Sequence, residues 1–237
     1  MPPFSEETTL RSYWYCRGAL QILLPRLLLG LACLSAAALP ADALDHAVRI
    51  VALGDSLTAG LGLPANASFP VKLEAALKAR GFAVEIINAG VSGDTASAGL
   101  ARLDWSVPEG TDGVIVELGA NDMLRGLDPQ VTRRALAEIV RRLTARNIVV
   151  LLAGMRAAPN LGVRYGREFE GMFSELAAKT EARNLLFYPF FLDGIAAQPK
   201  LNQADGVHPS AAGVDEIVAR ILPTVEELIA RVRQKQR

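Results

Sequence analysis

The chain has 237 residues, 51% of them hydrophobic and 21% charged, a composition that suits one globular domain, or one domain plus a leader, with a core that needs neither disulfide nor metal. Lys plus Arg and Asp plus Glu both number 25, so the formal net charge is zero. With only 6% aromatic residues, this argues against a nucleic-acid partner and against an anionic-membrane surface.

Residues 1–43 read as a secretory leader. Arg11, Arg17 and Arg26 precede the apolar run 27–39, and Ala41-Asp42-Ala43 supplies the small residues of a cleavage site. The run is shorter than the roughly 20 residues of a bilayer span. Cleavage after Ala43 would leave residues 44–237 as a single periplasmic or secreted domain with no stable membrane insertion. An N-terminally anchored form is the alternative. Both cysteines, Cys16 and Cys33, fall in the leader, and no Cys/His metal spacing exists, so no metal is expected.

From residue 48 onward the pattern alternates. Residues 48–53 are an apolar, β-branched run that predicts a buried strand, ended by Gly54-Asp55-Ser56. Residues 68–80 predict a helix, opened by a capping-type Ser68 with an early Pro70 and closed by Gly81. Residues 83–88 predict a strand, 95–105 a short helix and 113–118 a strand. Residues 129–146 predict a helix, with Leu136, Ile139, Val140 and Leu143 on one face and arginines on the other. A strand over 147–153, a helix over 165–183, a strand over 185–188 and a helix over 210–232 complete the series. Such alternation predicts an α/β fold with a five-stranded parallel sheet covered on both faces and chemistry at the carboxyl ends of its strands.

Ser56 stands at such an end. Thr58 replaces the second glycine of a Gly-x-Ser-x-Gly elbow, and Gly-Asp-Ser is also common turn composition, so Ser56 alone decides nothing. A serine hydroxyl needs a base, and the chain holds only two histidines, His46 and His208. His46 adjoins the expected cleavage site. His208 follows Asp205 by three residues, a spacing that lets the carboxylate reach the imidazole Nδ1–H and turn Nε2 toward a serine. Read alone, Asp205 could equally cap a turn and His208 lie on the surface. Gly93, after the second strand, could offer an unobstructed N–H, and Asn121, after the third, a side-chain NH2; these donors suit a tetrahedral oxyanion, and each also suits a plain turn. Nucleophile, donors and Asp-x-x-His thus recur at four successive places that the topology would bring to one rim. A histidine base predicts activity that rises with pH through about 6–7; a flat rate between pH 5 and 8, with chemistry rate-limiting, would count against it.

These blocks carry a resemblance. Gly54-Asp55-Ser56-Leu57, Gly93, Gly119-Ala120-Asn121-Asp122 and Asp205–His208 resemble, in order, the four blocks of the SGNH (GDSL-type) hydrolases. Gly93-Asp94-Thr95, the stretches 99–103 and 116–119, and Asp205-Gly206-Val207-His208-Pro209 are similar to the family's bacterial thioesterase, arylesterase and lysophospholipase group. The resemblance implies a three-layer α/β/α flavodoxin-like fold. It implies Ser56 as nucleophile, His208 as base and Asp205 as its orienter, with the N–H groups of Ser56 and Gly93 and the Asn121 amide as oxyanion hole. It implies no cofactor, and loop-holding rather than catalytic roles for Asp55 and Asp122. A small-molecule acyl ester or thioester is the expected substrate and a monomer the expected state. Met123, Leu124 and Leu127 after the Asn-Asp block, and Pro159 after the fourth strand, are candidates to line an acyl groove. A carbohydrate O-acetyl esterase, an acyltransferase and a non-catalytic binding protein on the same fold are the alternatives.

Overall fold

The structure is a computed structural model that describes residues 47–179 and 184–237; the leader, His46 and both cysteines lie outside the described residues. Val48–Gly54 (β1), Val84–Gly90 (β2), Gly113–Glu117 (β3), Val149–Ala153 (β4) and Leu185–Tyr188 (β5) pair in parallel in the order β2-β1-β3-β4-β5. β3 and β4 are buried along their whole length and β1 at all but Arg49, whereas the edge strands β2 and β5 keep partly exposed positions. That is why the central runs read as continuous apolar segments: both faces of a parallel sheet are covered.

The helices are Ser56–Ala59 (α1), Phe69–Ala79 (α2), Ala96–Ala101 (α3), Leu103–Ser106 (α4), Ala120–Leu124 (α5), Pro129–Ala145 (α6), Val163–Lys179 (α7) and Ala211–Gln236 (α8). α2 packs on α8, and α8 also touches β3, β4 and β5. α6 packs against α3, α7 and β4, which makes the second helical layer. The apolar stripe of α6 (Leu136, Ile139, Val140, Leu143) is buried as its spacing predicts. Among the described residues no helix is long and apolar enough to cross a membrane.

Two local expectations are corrected. The helix expected over 95–105 is broken into α3 and α4 at Arg102, whose backbone (φ −102°, ψ 7°) leaves the helix while its guanidinium turns inward. Ser68 occupies the N-cap position of α2 but does not cap it: its hydroxyl donates to the Ala65 carbonyl at 3.1 Å, and Pro70 has removed one of the N–H groups a cap would serve.

The register positions the site. Gly54 pairs with Gly90 on one side and Glu117 on the other, and Glu117 with Ala153, so the ends of β2, β1, β3 and β4 lie level. The chain leaves β1 toward β2 and returns past it to β3, so the two crossovers diverge at the β1 and β3 ends, where open α/β sheets place ligands. Two glycines make the close approach possible. A Cβ on Gly90 would lie 2.3 Å from the Ala59 nitrogen, and one on Gly54 would lie 2.0 Å from the Thr58 hydroxyl. α1 can therefore rest against β2 only because neither position carries a side chain.

Candidate active site

Ser56 is the first residue of α1 and follows β1 across one residue, Asp55. Asp55 is the N-cap: its Oδ1 accepts from the Leu57 N–H at 3.0 Å, which holds the turn that presents Ser56 at the sheet edge. Ser56 is 8% exposed, so the residue is largely shielded from bulk water.

His208 lies 152 positions further along, in the segment that leads into α8, and its Nε2 is 2.9 Å from Ser56 Oγ. Its Nδ1 is 2.7 Å from Asp205 Oδ2, while Asp205 Oδ1 accepts from the N–H groups of Val207 at 2.9 Å and His208 at 3.0 Å. The backbone and side-chain hydrogen bonds from His208 lower the Asp205 carboxyl to about 2, so it is an anion at any working pH. With Nδ1 donating to that anion, Nε2 is the acceptor that faces the serine proton. A hydroxyl, an imidazole and a carboxylate in this order can attack an acyl carbon and move the displaced proton.

The expected donors also lie around this edge. Gly93 adopts φ +89°, and its carbonyl accepts from Arg125 Nη2 at 2.7 Å. Among the described residues, neither the Gly93 nor the Ser56 N–H has an acceptor in the protein. Asn121 differs. Its Nδ2 donates to Asp55 Oδ2 at 2.9 Å and to the Asp94 carbonyl at 3.0 Å, so both amide hydrogens are engaged. Gly119, at φ +120°, makes the sharp exit from β3 that carries Asn121 to this edge.

Asp55 and Asp122 hold loops, as the sequence suggests. Asp122 is fully buried, with Oδ2 accepting from the Ala96 N–H and Oδ1 from the Thr132 hydroxyl. The four groove candidates separate. Met123 is buried, with its sulfur accepting from the Ala158 N–H at 3.5 Å. Leu124 is 55% exposed, Pro159 is exposed on a 3-10 turn, and Leu127 is half-buried with its carbonyl accepting from Tyr165.

Two arginines and a glutamate escaped the sequence reading. Arg102 is buried and pairs with Asp94 at 2.6 Å; it also donates to Ser106 Oγ and to the Gly54 carbonyl, which ties the Gly93 loop to the end of β1. Arg125 clamps the same loop from the α5 side. Glu117, the last residue of β3, is fully buried beneath the nucleophile turn. Arg102 lies within the quoted stretch 99–103, but nothing in a sequence marks an arginine as inward-facing. Among the described residues no three His, Cys, Asp or Glu side chains gather as a metal site.

Comparison with known proteins gives this geometry relatives. Residues 52–215 match the GDSL-like lipase/acylhydrolase family. The chain is 34% identical over 184 residues to the Pseudomonas aeruginosa esterase TesA, covering 77% of this chain and 90% of that one. It is 37% identical over 162 residues to the Escherichia coli thioesterase 1/protease 1/lysophospholipase L1, covering 68% of this chain and 75% of that one. AlinE4, an esterase of the SGNH-hydrolase family, superposes with a TM-score of 0.64 at 48% identity, over 76% of this chain and 96% of its own. With the match spanning the strands that carry Ser56 and Asn121 and reaching past His208, this chain belongs to the GDSL-like lipase/acylhydrolase family.

Proposed function

We propose that this chain hydrolyses carboxylic esters or thioesters through an acyl-enzyme on Ser56. The observation that carries the reading is the continuous relay from Ser56 Oγ to His208 Nε2 at 2.9 Å and from His208 Nδ1 to Asp205 at 2.7 Å. Ser56 Oγ attacks the acyl carbon while His208 takes its proton. The tetrahedral oxyanion is met by the N–H groups of Ser56 and Gly93 and by the Asn121 amide. His208 then protonates the leaving alcohol or thiol, the acyl-oxygen bond to Ser56 remains, and water activated by the same imidazole releases the acid. Asp205 stays ionised throughout and stabilises the imidazolium.

Relatives named esterase, arylesterase and thioesterase/lysophospholipase support acyl substrates of this class. So does the apolar character of the loops that carry the site. Leu61 after α1, Val91 after β2, Leu124 in α5 and Val207 beside His208 are all large and exposed. Apolar side chains on the segments that carry the site fit an acyl chain better than a sugar hydroxyl network, which favours a lipid-like or aryl ester over an acetylated carbohydrate. All groups of the relay come from one chain, so we read the protein as acting as a monomer. The leader-like layout of residues 1–43 supports export to the periplasm or beyond, with residues 44–237 as the working domain.

The test is a p-nitrophenyl ester series from acetyl to palmitoyl, run with fluorophosphonate labelling. Turnover with an optimum above acetyl, and a covalent label on Ser56, are expected. Strict preference for acetyl groups on sugars would move the substrate assignment to carbohydrate esters, and an unlabelled Ser56 would remove the acyl-enzyme.

A further inference from the structure

Three acidic side chains are fully buried at the carboxyl edge of the sheet: Asp55, Glu117 and Asp122. Asp122 has both oxygens satisfied, by the Ala96 N–H and the Thr132 hydroxyl. Asp55 has both satisfied as well, by the Leu57 N–H and the Asn121 amide. Glu117 is different. Its Oε2 accepts from the Thr58 hydroxyl at 2.8 Å and from the Asp55 N–H at 3.4 Å, but its Oε1 is buried without any partner.

An ionised carboxylate in that position would be poorly placed. Burying an unpaired charge costs several kcal/mol even after relaxation, whereas an unpaired oxygen or hydroxyl of a neutral acid costs about 1–3 kcal/mol. The charged groups that face Glu117 and Asp55 do not offset the difference. The nucleophile turn brings Asp55 itself, and α5 brings Asp122. The loop after β2 brings Asp94, whose charge Arg102 already neutralises. Arg102 reaches the Gly54 carbonyl but is paired with Asp94, and His208, which acts on Asp55 from the approach to α8, is paired with Asp205. Burial, and then the neighbouring Asp55, push the Glu117 carboxyl well above its ordinary value of 4.5.

We propose that Glu117 is a positioning residue that works as a neutral acid: its carbonyl oxygen anchors the Thr58 hydroxyl and the Asp55 N–H, setting the nucleophile turn, and its retained proton leaves the Asp55 carboxylate to hold the Asn121 amide. Two adjacent buried carboxyls cannot both ionise cheaply. By keeping the proton on Glu117, the fold reserves the anion for Asp55, whose carboxyl burial lifts to about 6 against the two hydrogen bonds that favour the anion. Thr58 and Asp55 flank Ser56 within α1 and its cap, so the nucleophile is gripped from below at both sides. Glu117 itself touches no reacting atom. The role rests on Ser56 and Asn121 being the nucleophile and an oxyanion donor.

The test is Glu117→Gln, an isostere of the protonated acid, beside Glu117→Leu. The sign of the pH effect follows from linkage. In the unfolded chain Glu117 ionises above about its ordinary 4.5, while the folded state keeps the proton. The native state therefore binds more protons than the unfolded state above that pH, and wild-type stability is drained as pH rises toward the folded value. Glutamine has no such drain. The Tm of Glu117→Gln is expected to gain on wild type progressively from pH 5 to pH 8, a trend that loss of a merely structural hydrogen bond would not produce. Its kcat should stay near wild type, whereas Glu117→Leu, which frees Thr58 and the Asp55 N–H, should lose kcat by about 10²-fold with KM little changed. A Tm gap that is flat or narrows with pH, or a kcat for Glu117→Gln as low as that of Glu117→Leu, would overturn the neutral acid, and a kcat for Glu117→Leu near wild type would overturn the positioning role. The Tm series requires no esterase activity, so its outcome is separate from that of the ester assay; if the leucine variant does not fold, Thr58→Val, which removes the anchored hydroxyl, takes its place in the kcat comparison.

Discussion

Replacing Ser56 with alanine is expected to lower kcat on a p-nitrophenyl ester by a factor on the order of 10⁶, with the fold intact. The size follows from what is lost. Among the described residues Ser56 Oγ is the hydroxyl within hydrogen-bond reach of His208 Nε2, so its removal deletes the covalent route and leaves whatever stabilisation the surrounding donors give to attack by water. His208→Ala should cost a comparable amount, because a hydroxyl without its base is a weak nucleophile. The double variant should be scarcely worse than either single one, since the two groups act as a unit and their losses do not add. Steady-state kinetics of the three variants with matched far-UV spectra measure this. Strictly additive losses, or an alanine variant with near wild-type turnover, would take Ser56 out of the chemistry.

The residues of this relay were legible because each is a distinctive type at a distinctive place. Ser56 and His208, and Asn121 beside them, follow or precede elements whose apolar runs are unmistakable, and β1, β3 and β4 lie within two residues of their expected bounds. What stayed hidden has physical causes. α1 and α5 are single turns, too short to show a helical period. The break at Arg102 depends on a tertiary contact, the pull of its guanidinium toward Asp94 and the Gly54 carbonyl, and no local pattern encodes that. That Met123 is buried while its neighbour Leu124 is exposed follows from the single turn of α5, which no local pattern shows. Glu117 is the sharpest case. A glutamate at the end of a strand reads as a rim residue facing water, and only the level register of Gly54 with Glu117, together with the missing Cβ of Gly54, shows that it lies under the turn.

Asn121→Ala is expected to lower kcat by about 10²–10³, equivalent to about 2.7–4 kcal/mol of transition-state stabilisation, with KM little moved. The structure sharpens what this number means. In the free enzyme one amide hydrogen goes to the Asp55 carboxylate and the other to the Asp94 carbonyl. The carboxylate bond is charge-assisted and fixes the plane of the amide; the carbonyl bond is a neutral one. A developing oxyanion is the stronger acceptor of the two competitors for that second hydrogen, so the donor is expected to be drawn from the Asp94 carbonyl as negative charge builds. Such an interaction exists only in the transition state, which is why the loss should fall on kcat. The same bonds tie the β2 and β3 loops together, so some loss of Tm is expected in Asn121→Ala as well. Asn121→Asp separates the two effects: it keeps the size of the side chain, removes both donors and sets a second carboxylate against Asp55. It should therefore lose at least as much kcat as alanine. Full kcat in either variant, with only Tm reduced, would make Asn121 a loop tie and leave the oxyanion to the Ser56 and Gly93 N–H groups.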